Sequence, residues 1–330
     1  MSTLFSHFFT KINQISPLEA NFTEVLDSIA LKPKTLYFYG KMPENMAEIS
    51  KSTDQKQNKP GQKSSEKNRT DARVKRPKTV AIVGSRHNTK YGEEVAYKLA
   101  YELGKHGVVV VSGLAFGIDS IAHRGCLDAN GVTVAILGTP IDHIYPASHK
   151  PLAAEIIKKG GAVMSEYAPG ANVFTKVSFL ERNRLISGLS DIVVVVEAAE
   201  RSGSLNTATH ALEQGKEVFA VPGNINNPYS QGCNKLIKQG AIPYTEPKDV
   251  LELLFPGDYT KKYKKLCQAN LIGDNDVETK ILQALASGLR SGEDIMTATS
   301  LPPEVFNETT TLLEIKSRIR SLGLNNWSLI

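Results

Sequence analysis

The chain is poor in cysteine and has no long apolar run. Its three cysteines, Cys126, Cys233 and Cys267, stand far apart and form neither a CxxC pair nor a metal-ligand spacing. They read as reduced thiols that pack as small hydrophobes. No stretch of about 18 apolar residues occurs, which excludes a transmembrane helix. Residues 1–15 lack the charged leader, apolar core and cleavage site of a signal peptide, so a cytoplasmic location is expected. No Ser-His-Asp order, metal spacing or spaced carboxylate pair forms a catalytic set, and no cofactor is expected. Charge of neither sign dominates: 39 Lys and Arg stand against 34 Asp and Glu, a net +5. That balance is compatible with an anionic partner without requiring one. With 330 residues, 41% of them hydrophobic and 22% charged, the chain can hold one large globular domain plus small appendages.

What the chain does have is five short apolar strands, each ending in a small or polar loop. They are residues 80–83 before Gly84-Ser85-Arg86, 108–111 before Ser112-Gly113, and 132–137 before Gly138-Thr139-Pro140. Residues 192–196 then lead to Glu197 and Ser202-Gly203-Ser204, and 218–221 to Pro222-Gly223-Asn224. Strands this apolar are buried on both faces, as in a parallel sheet. Between them lie helical patterns at 92–106, 118–130, 150–159, 182–189, 205–214 and 234–239, and a further strand at 161–166. The alternation predicts an α/β fold, a Rossmann-like doubly wound and mostly parallel sheet over residues 79–257. Residues 1–46 form a lead segment whose Leu36-Tyr37-Phe38-Tyr39-Gly40 reads as a strand docking on that domain. Residues 47–78 are polar and basic with almost no apolar side chains, and read as a disordered insertion. A Lys-rich linker over 258–276 precedes a module at 277–330. Three helical patterns and a terminal hairpin there predict a winged-helix fold.

Open α/β sheets bind ligands at the carboxyl ends of their strands, where helix N-termini attract anions. The small residues and arginines of this chain collect at those ends, so a phosphate-bearing ligand, a nucleic acid among them, is the first expectation. In Gly84-Ser85-Arg86 the glycine permits a close turn and Arg86 offers a planar fork of donors. A structural salt bridge is the competing role for Arg86. This loop is neither a dinucleotide fingerprint nor a P-loop, so no ATPase is indicated. Asp119 falls in the first turn of a helix, where a carboxylate favours the dipole, and reads as structural. His123, one turn on, reads as a packed histidine. Phe179-Leu180-Glu181-Arg182-Asn183-Arg184 concentrates donors beside an aromatic suited to stacking on a base. The competing reading pairs one arginine with Glu181, Glu166 or Glu197 and puts Phe179 in the core. Ser202-Gly203-Ser204 suits a phosphate or, more plainly, a helix cap.

Taken together, these motifs resemble the bacterial DNA-processing protein A family (DprA, also called Smf). The resemblance rests on Gly84-Ser85-Arg86, the run 112–119 with Ala122-His123, Ser165-Glu166-Tyr167, 179–184, 202–208 and Pro222-Gly223-Asn224, in the family's order. It implies a Rossmann-like domain that binds single-stranded DNA without catalysing a reaction. It also implies a homodimer that protects incoming DNA and assists RecA loading in natural transformation. By position, Arg86, Lys176, Phe179, Arg182, Arg184 and Lys216 are the DNA-contacting set. Gly84, Ser85, Ser112, Gly113, Ser202, Gly203 and Ser204 are the phosphate-binding loops. Leu180 stands where the family usually has Pro, the N-terminal helical domain is shortened, and Ser317 replaces a glycine before the wing. A second reading is a nucleotide hydrolase of the same superfamily fold, against which His210 stands where the catalytic glutamate would fall. A third is a nucleotide sensor that signals through the C-terminal module.

Overall fold

The structure, a computed structural model, describes residues 9, 11–43, 76–257, 273–316, 318–323 and 325–329. The chain divides into two units, within residues 1–254 and 255–330. The first is built on one nine-stranded sheet. In chain order its elements are β1 (Asn13–Ile15), β2 (Leu36–Gly40), β3 (Thr79–Val83), α1 (Lys90–Lys105), β4 (Val109–Ser112) and α2 (Ile118–Asp128). Then follow β5 (Thr133–Leu137), α3 (Lys150–Lys158), β6 (Ala162–Ser165), α4 (Lys176–Gly188), β7 (Ile192–Val195) and α5 (Gly203–Glu213). The unit closes with β8 (Glu217–Ala220), α6 (Gln231–Lys238), β9 (Ile242–Pro243) and α7 (Pro247–Leu254).

Spatially the strands run β1-β2-β6-β5-β4-β3-β7-β8-β9. From β6 to β9 every pairing is parallel, while β2 pairs antiparallel with β6 and β1 antiparallel with β2. The mostly parallel doubly wound sheet and the docked strand at 36–40 are therefore both present. After β1 and β2 at one margin, the parallel part starts in the middle at β3, steps outward through β4, β5 and β6, and then returns to the other side of β3 with β7. This reversal opens a crevice beside β3, the place where open α/β sheets hold ligands.

Strand alternation sorts the core into two layers. Val134 and Ile136 of β5 face the layer shared with Leu185 and Ile186 of α4 and Ala208 of α5. Ala135 and Leu137 face the opposite layer, with Leu152, Ala153 and Ile156 of α3. At roughly 25 cal/mol per Å² of apolar surface removed from water, these layers supply the main favourable term in folding. Helix α1 is started by Thr89, whose hydroxyl accepts the Gly92 N–H at 3.2 Å and donates to Glu197 Oε1 at 2.6 Å. The loop after β3 is thereby tied to the end of β7 across the crevice.

Several boundaries differ from the sequence expectation. The short helix expected at 182–189 begins six residues earlier, at Lys176. Its last turns are buried all round, so they show no apolar stripe from which to read its length. The expectation of disorder over 47–78 lies outside the described residues except at 76–78. There Arg76 is ordered: it donates to the Leu189 carbonyl at 2.7 Å and pairs with Asp191. The proposed linker likewise lies outside the described residues up to 272, but Asn275 already caps the next helix.

The second unit has α8 (Asp276–Ala286), α9 (Gly292–Thr299), α10 (Pro303–Ile315), β10 (Ile319–Gly323) and β11 (Asn326–Leu329). The strands pair antiparallel as a hairpin. The unit thus has three helices followed by a hairpin. They enclose their own core of Ile281, Leu282, Leu285, Ile295, Phe306, Leu313 and Ile319. Among its charged groups, Lys316 bridges Asp274 and Glu278, each at 2.7 Å.

Candidate nucleic-acid interface

The carboxyl edge of the parallel strands carries the site. The loop after β3 is held from below. Ser85 is buried, and its hydroxyl donates to the His87 carbonyl at 2.9 Å and accepts the His87 N–H at 3.1 Å. The Ser85 carbonyl takes the Ile118 N–H at 3.1 Å. Gly117 makes this approach possible: it has φ +74°, and a Cβ there would lie 2.3 Å from the Ser85 carbonyl oxygen. With its neighbours pinned, Arg86 emerges into solvent, and its guanidinium lies over the Phe179 ring, 5.8 Å from the centroid. Among the described residues Arg86 forms no ion pair.

Phe179 packs its ring on Gly138, where a Cβ would meet ring carbon Cδ1 at 2.7 Å. It belongs to an aromatic group that the sequence reading missed. Tyr145 lies 5.7 Å and Phe174 5.8 Å from Phe179 between centroids, and Tyr145 and Phe174 meet at 5.1 Å, nearly perpendicular. Phe116 packs edge-on against the buried His149 ring at 4.9 Å. Phe174 is 56% exposed and Phe116 47%. Arg86, Gly113, Phe116, Tyr145, Phe179 and Arg182 line one cleft. Open aromatic faces beside an unneutralised guanidinium are suited to stacking on bases while attracting phosphate. Each missed residue lies in a loop, where no periodicity marks it.

The other arginines of the predicted set have different positions. Arg182 is 5% exposed. It donates to the Gly113 carbonyl at 2.8 Å and to the Ile136 carbonyl, joining the ends of β4 and β5. Asp119 takes the Gly113 N–H at 3.1 Å, so Gly113 is gripped from both sides. Burial pulls the Arg182 pKa down to about 10, with the nearby Asp119 acting in the opposite direction, so the guanidinium stays charged at neutral pH. Burial raises the Asp119 pKa, against the lowering effect of Arg182 and its backbone donors. Arg182 forms the floor of the cleft and is no free DNA-contacting fork. Arg184 is 9% exposed and grips both Glu166 oxygens, at 2.7 and 2.8 Å. Its charge is answered internally, as the competing reading held. Lys216 precedes β8 and so sits at the amino edge of the sheet, beside Arg76 and Asp191, away from this site. Burial lowers its pKa.

Lys176 is exposed at the first position of α4, after a cap in which Thr175 Oγ1 accepts the Ser178 N–H at 3.1 Å. Ser112 faces inward and donates to the Ile82 carbonyl at 2.7 Å, a structural bond. Ser202 caps α5: its hydroxyl accepts the Ser204 N–H at 3.3 Å and lies 2.8 Å from Ser204 Oγ. Asn183 reaches across to the Gly203 carbonyl at 3.2 Å, joining α4 to this loop. Gly84 lies at the root of the crevice, and Gly203 is exposed at its rim. His123 is fully buried, with Nδ1 2.7 Å from the Thr133 hydroxyl, and burial drops its pKa to about 3. It is a packed neutral imidazole. His210 lies 3.3 Å from Glu213. Among the described residues no cluster suited to a metal ion occurs, and no helix is long and apolar enough to cross a membrane.

Protein Smf of Escherichia coli is 51% identical over 175 residues, covering 53% of this chain and 46% of that protein. The DNA processing protein DprA of Bacillus subtilis is 45% identical over 175 residues, covering 53% and 58%. The chain spans about half the length of the curated relatives it matches. Among solved structures, the DprA X-ray structure from Streptococcus pneumoniae aligns with a TM-score of 0.58 at 36% identity, covering 74% of this chain and 75% of that one. DNA processing protein A from Helicobacter pylori, whose structure is described as revealing a single-stranded DNA binding mode, aligns with a TM-score of 0.57 at 30% identity. It covers 76% and 97%. Residues 69–255 match the family described as DNA recombination-mediator protein A. The chain belongs to that family.

Proposed function

We propose that the protein binds single-stranded DNA along the carboxyl edge of its sheet and acts as a recombination mediator. In this reading it protects incoming DNA and assists RecA loading in natural transformation, as a cytoplasmic homodimer and a binding protein without an enzymatic step. The observation that carries the proposal is Arg86 over Phe179, an exposed cation on an aromatic face, with Tyr145, Phe174 and Phe116 around it. A duplex keeps its bases stacked inside and offers no ring to these faces, whereas a single strand does. The Helicobacter pylori relative, described by its single-stranded DNA binding mode, supports the same assignment. Lys176, at the start of α4, completes the cationic side, while Arg182 and Arg184 act beneath it as scaffolding.

The test is fluorescence anisotropy of a labelled single strand and of the matching duplex across a salt titration. Preference for the single strand, with affinity falling as salt rises, is expected. The Arg86→Ala protein should lose about tenfold in affinity, the order of one charge-assisted contact. Equal affinity for duplex, or an unchanged Arg86→Ala protein of normal fold, would refute the proposal. RecA assembly on strands coated with single-strand-binding protein, with and without this chain, tests the mediator step.

A further inference from the structure

A second cleft adjoins the first behind the aromatic wall. It is lined by the loop after β5, with Pro140, Asp142 and His143, and by residues 170–174, including Asn172 and Phe174. Tyr145 lines the first cleft and touches Phe174, which lines the second, so one aromatic wall serves both. The His143 ring meets Phe174 at 5.9 Å. No Lys or Arg lines this second cleft, and it carries the Asp142 carboxylate. It is therefore unsuited to a phosphate and suited to the edge of a base. The carboxylate is fixed in advance: Asp142 Oδ2 takes the Gly170 N–H at 2.9 Å. The loop bearing it is fixed too, by Thr139 Oγ1 donating to the His143 carbonyl at 2.6 Å and by Ile141 N–H donating to the Tyr167 carbonyl at 3.2 Å. Among the described residues Asp142 Oδ1 makes no hydrogen bond.

We infer that the cleft of Asp142, His143 and Phe174 is a second base-binding subsite, one that favours bases with an exocyclic amino group. This rests on the single-strand reading above. A base unstacked from the strand would lie on the Phe174 face and donate its amino hydrogen to Asp142 Oδ1. Adenine and cytosine present such a donor at the base edge, and carboxylates accept from cytosine N4 in known base recognition. Thymine has no amino group, and its single N–H lies between two carbonyl oxygens that the carboxylate repels. The Asp142 charge also keeps the phosphates on the side of Arg86 and Lys176, which fixes the direction in which bases point.

The full-length protein is titrated at pH 8 with labelled oligo-dC and oligo-dT of equal length. Oligo-dC should bind about fivefold more tightly, the worth of one net hydrogen bond. Asp142→Asn keeps an oxygen for the Gly170 N–H and should bring the two affinities together. Phe174→Ala should weaken both strands about tenfold, as expected for one lost stacking platform. An oligo-dC whose cytosines are replaced by 2-pyrimidinone, cytosine without its amino group, should bind the unaltered protein like oligo-dT. Tight binding of both strands with no preference, or a preference that survives in Asp142→Asn, overturns the subsite and leaves the single-strand reading standing. Failure to bind either strand overturns both.

Discussion

At the scale of single residues, the arginines of the carboxyl edge divide by what answers their charge. Arg86 has solvent and an aromatic ring; Arg182 has two backbone carbonyls and Asp119; Arg184 has Glu166. Replacing each by alanine should therefore fail differently. Arg182→Ala leaves the Gly113 and Ile136 carbonyls without their donor and Asp119 without its nearby cation. It should cost about 3 kcal/mol in urea unfolding. Arg86→Ala should change stability by less than about 0.5 kcal/mol. His123 gives a pH signature. Its pKa is about 3 in the fold against an ordinary 6.5, so as pH falls below 6.5 the unfolded chain takes up a proton that the folded one refuses. Stability from this group is complete above pH 6.5 and declines as pH falls toward 3, by at most about 1.4 kcal/mol per pH unit. Urea midpoints measured between pH 7 and 5 should fall less steeply in His123→Gln. The position of Arg86 was legible in sequence because a loop directly after a buried strand must lie at the carboxyl edge. The roles of Arg182 and Arg184 were not, because whether a guanidinium meets solvent or a carboxylate depends on chain folded back from far away.

Among the elements, α4 contributes most to the candidate site. Its start leaves Lys176 exposed and lays the half-buried Phe179 on Gly138, and the residues that follow send Arg182 under the cleft and Arg184 to Glu166. The Thr175 cap fixes that start, so Thr175→Ala should cost about 1 kcal/mol of stability. It should also loosen Phe179, seen as weaker single-strand binding in anisotropy, with the salt slope retained. The strands were readable in sequence as buried apolar runs. The start of α4 was not, because Lys176, Val177, Leu180 and Glu181 are exposed and the residues after them are enclosed, which leaves no stripe of helical period. In the second unit, α10 carries Glu304, Glu308 and Glu314 and no Lys or Arg, with Leu312 and Ile315 exposed. Such a helix is poorly suited to meeting the phosphates of a duplex, which weakens the sensor reading.

For the molecule as a whole, two separate cores imply two unfolding events. Calorimetry of the full chain should resolve a larger transition for the sheet unit and a smaller one for the helical unit. A single-stranded oligonucleotide at about a hundred times its Kd should stabilise the larger by about 2.7 kcal/mol and leave the smaller in place. Phe306→Ala, which empties the centre of the smaller core, should lower only the smaller transition, by about 3 kcal/mol or more. The alternation of strand and helix was enough to anticipate the layered architecture. The order of strands was not, since nothing local in β7 records that it pairs with β3 rather than with β6.

Both margins of the sheet are kept short. At one side β1 has three residues, and at the other β9 has two, one of them Pro243, which has no N–H to offer. Between β6 and solvent stand β2 and β1, contributed by the lead segment. That segment thus shields Ala162–Ser165, four consecutive buried residues, from neighbours in solution. A truncated protein beginning at Arg76 would leave this ribbon bare, and light scattering should find it self-associating through β-pairing at concentrations where the full chain stays dispersed.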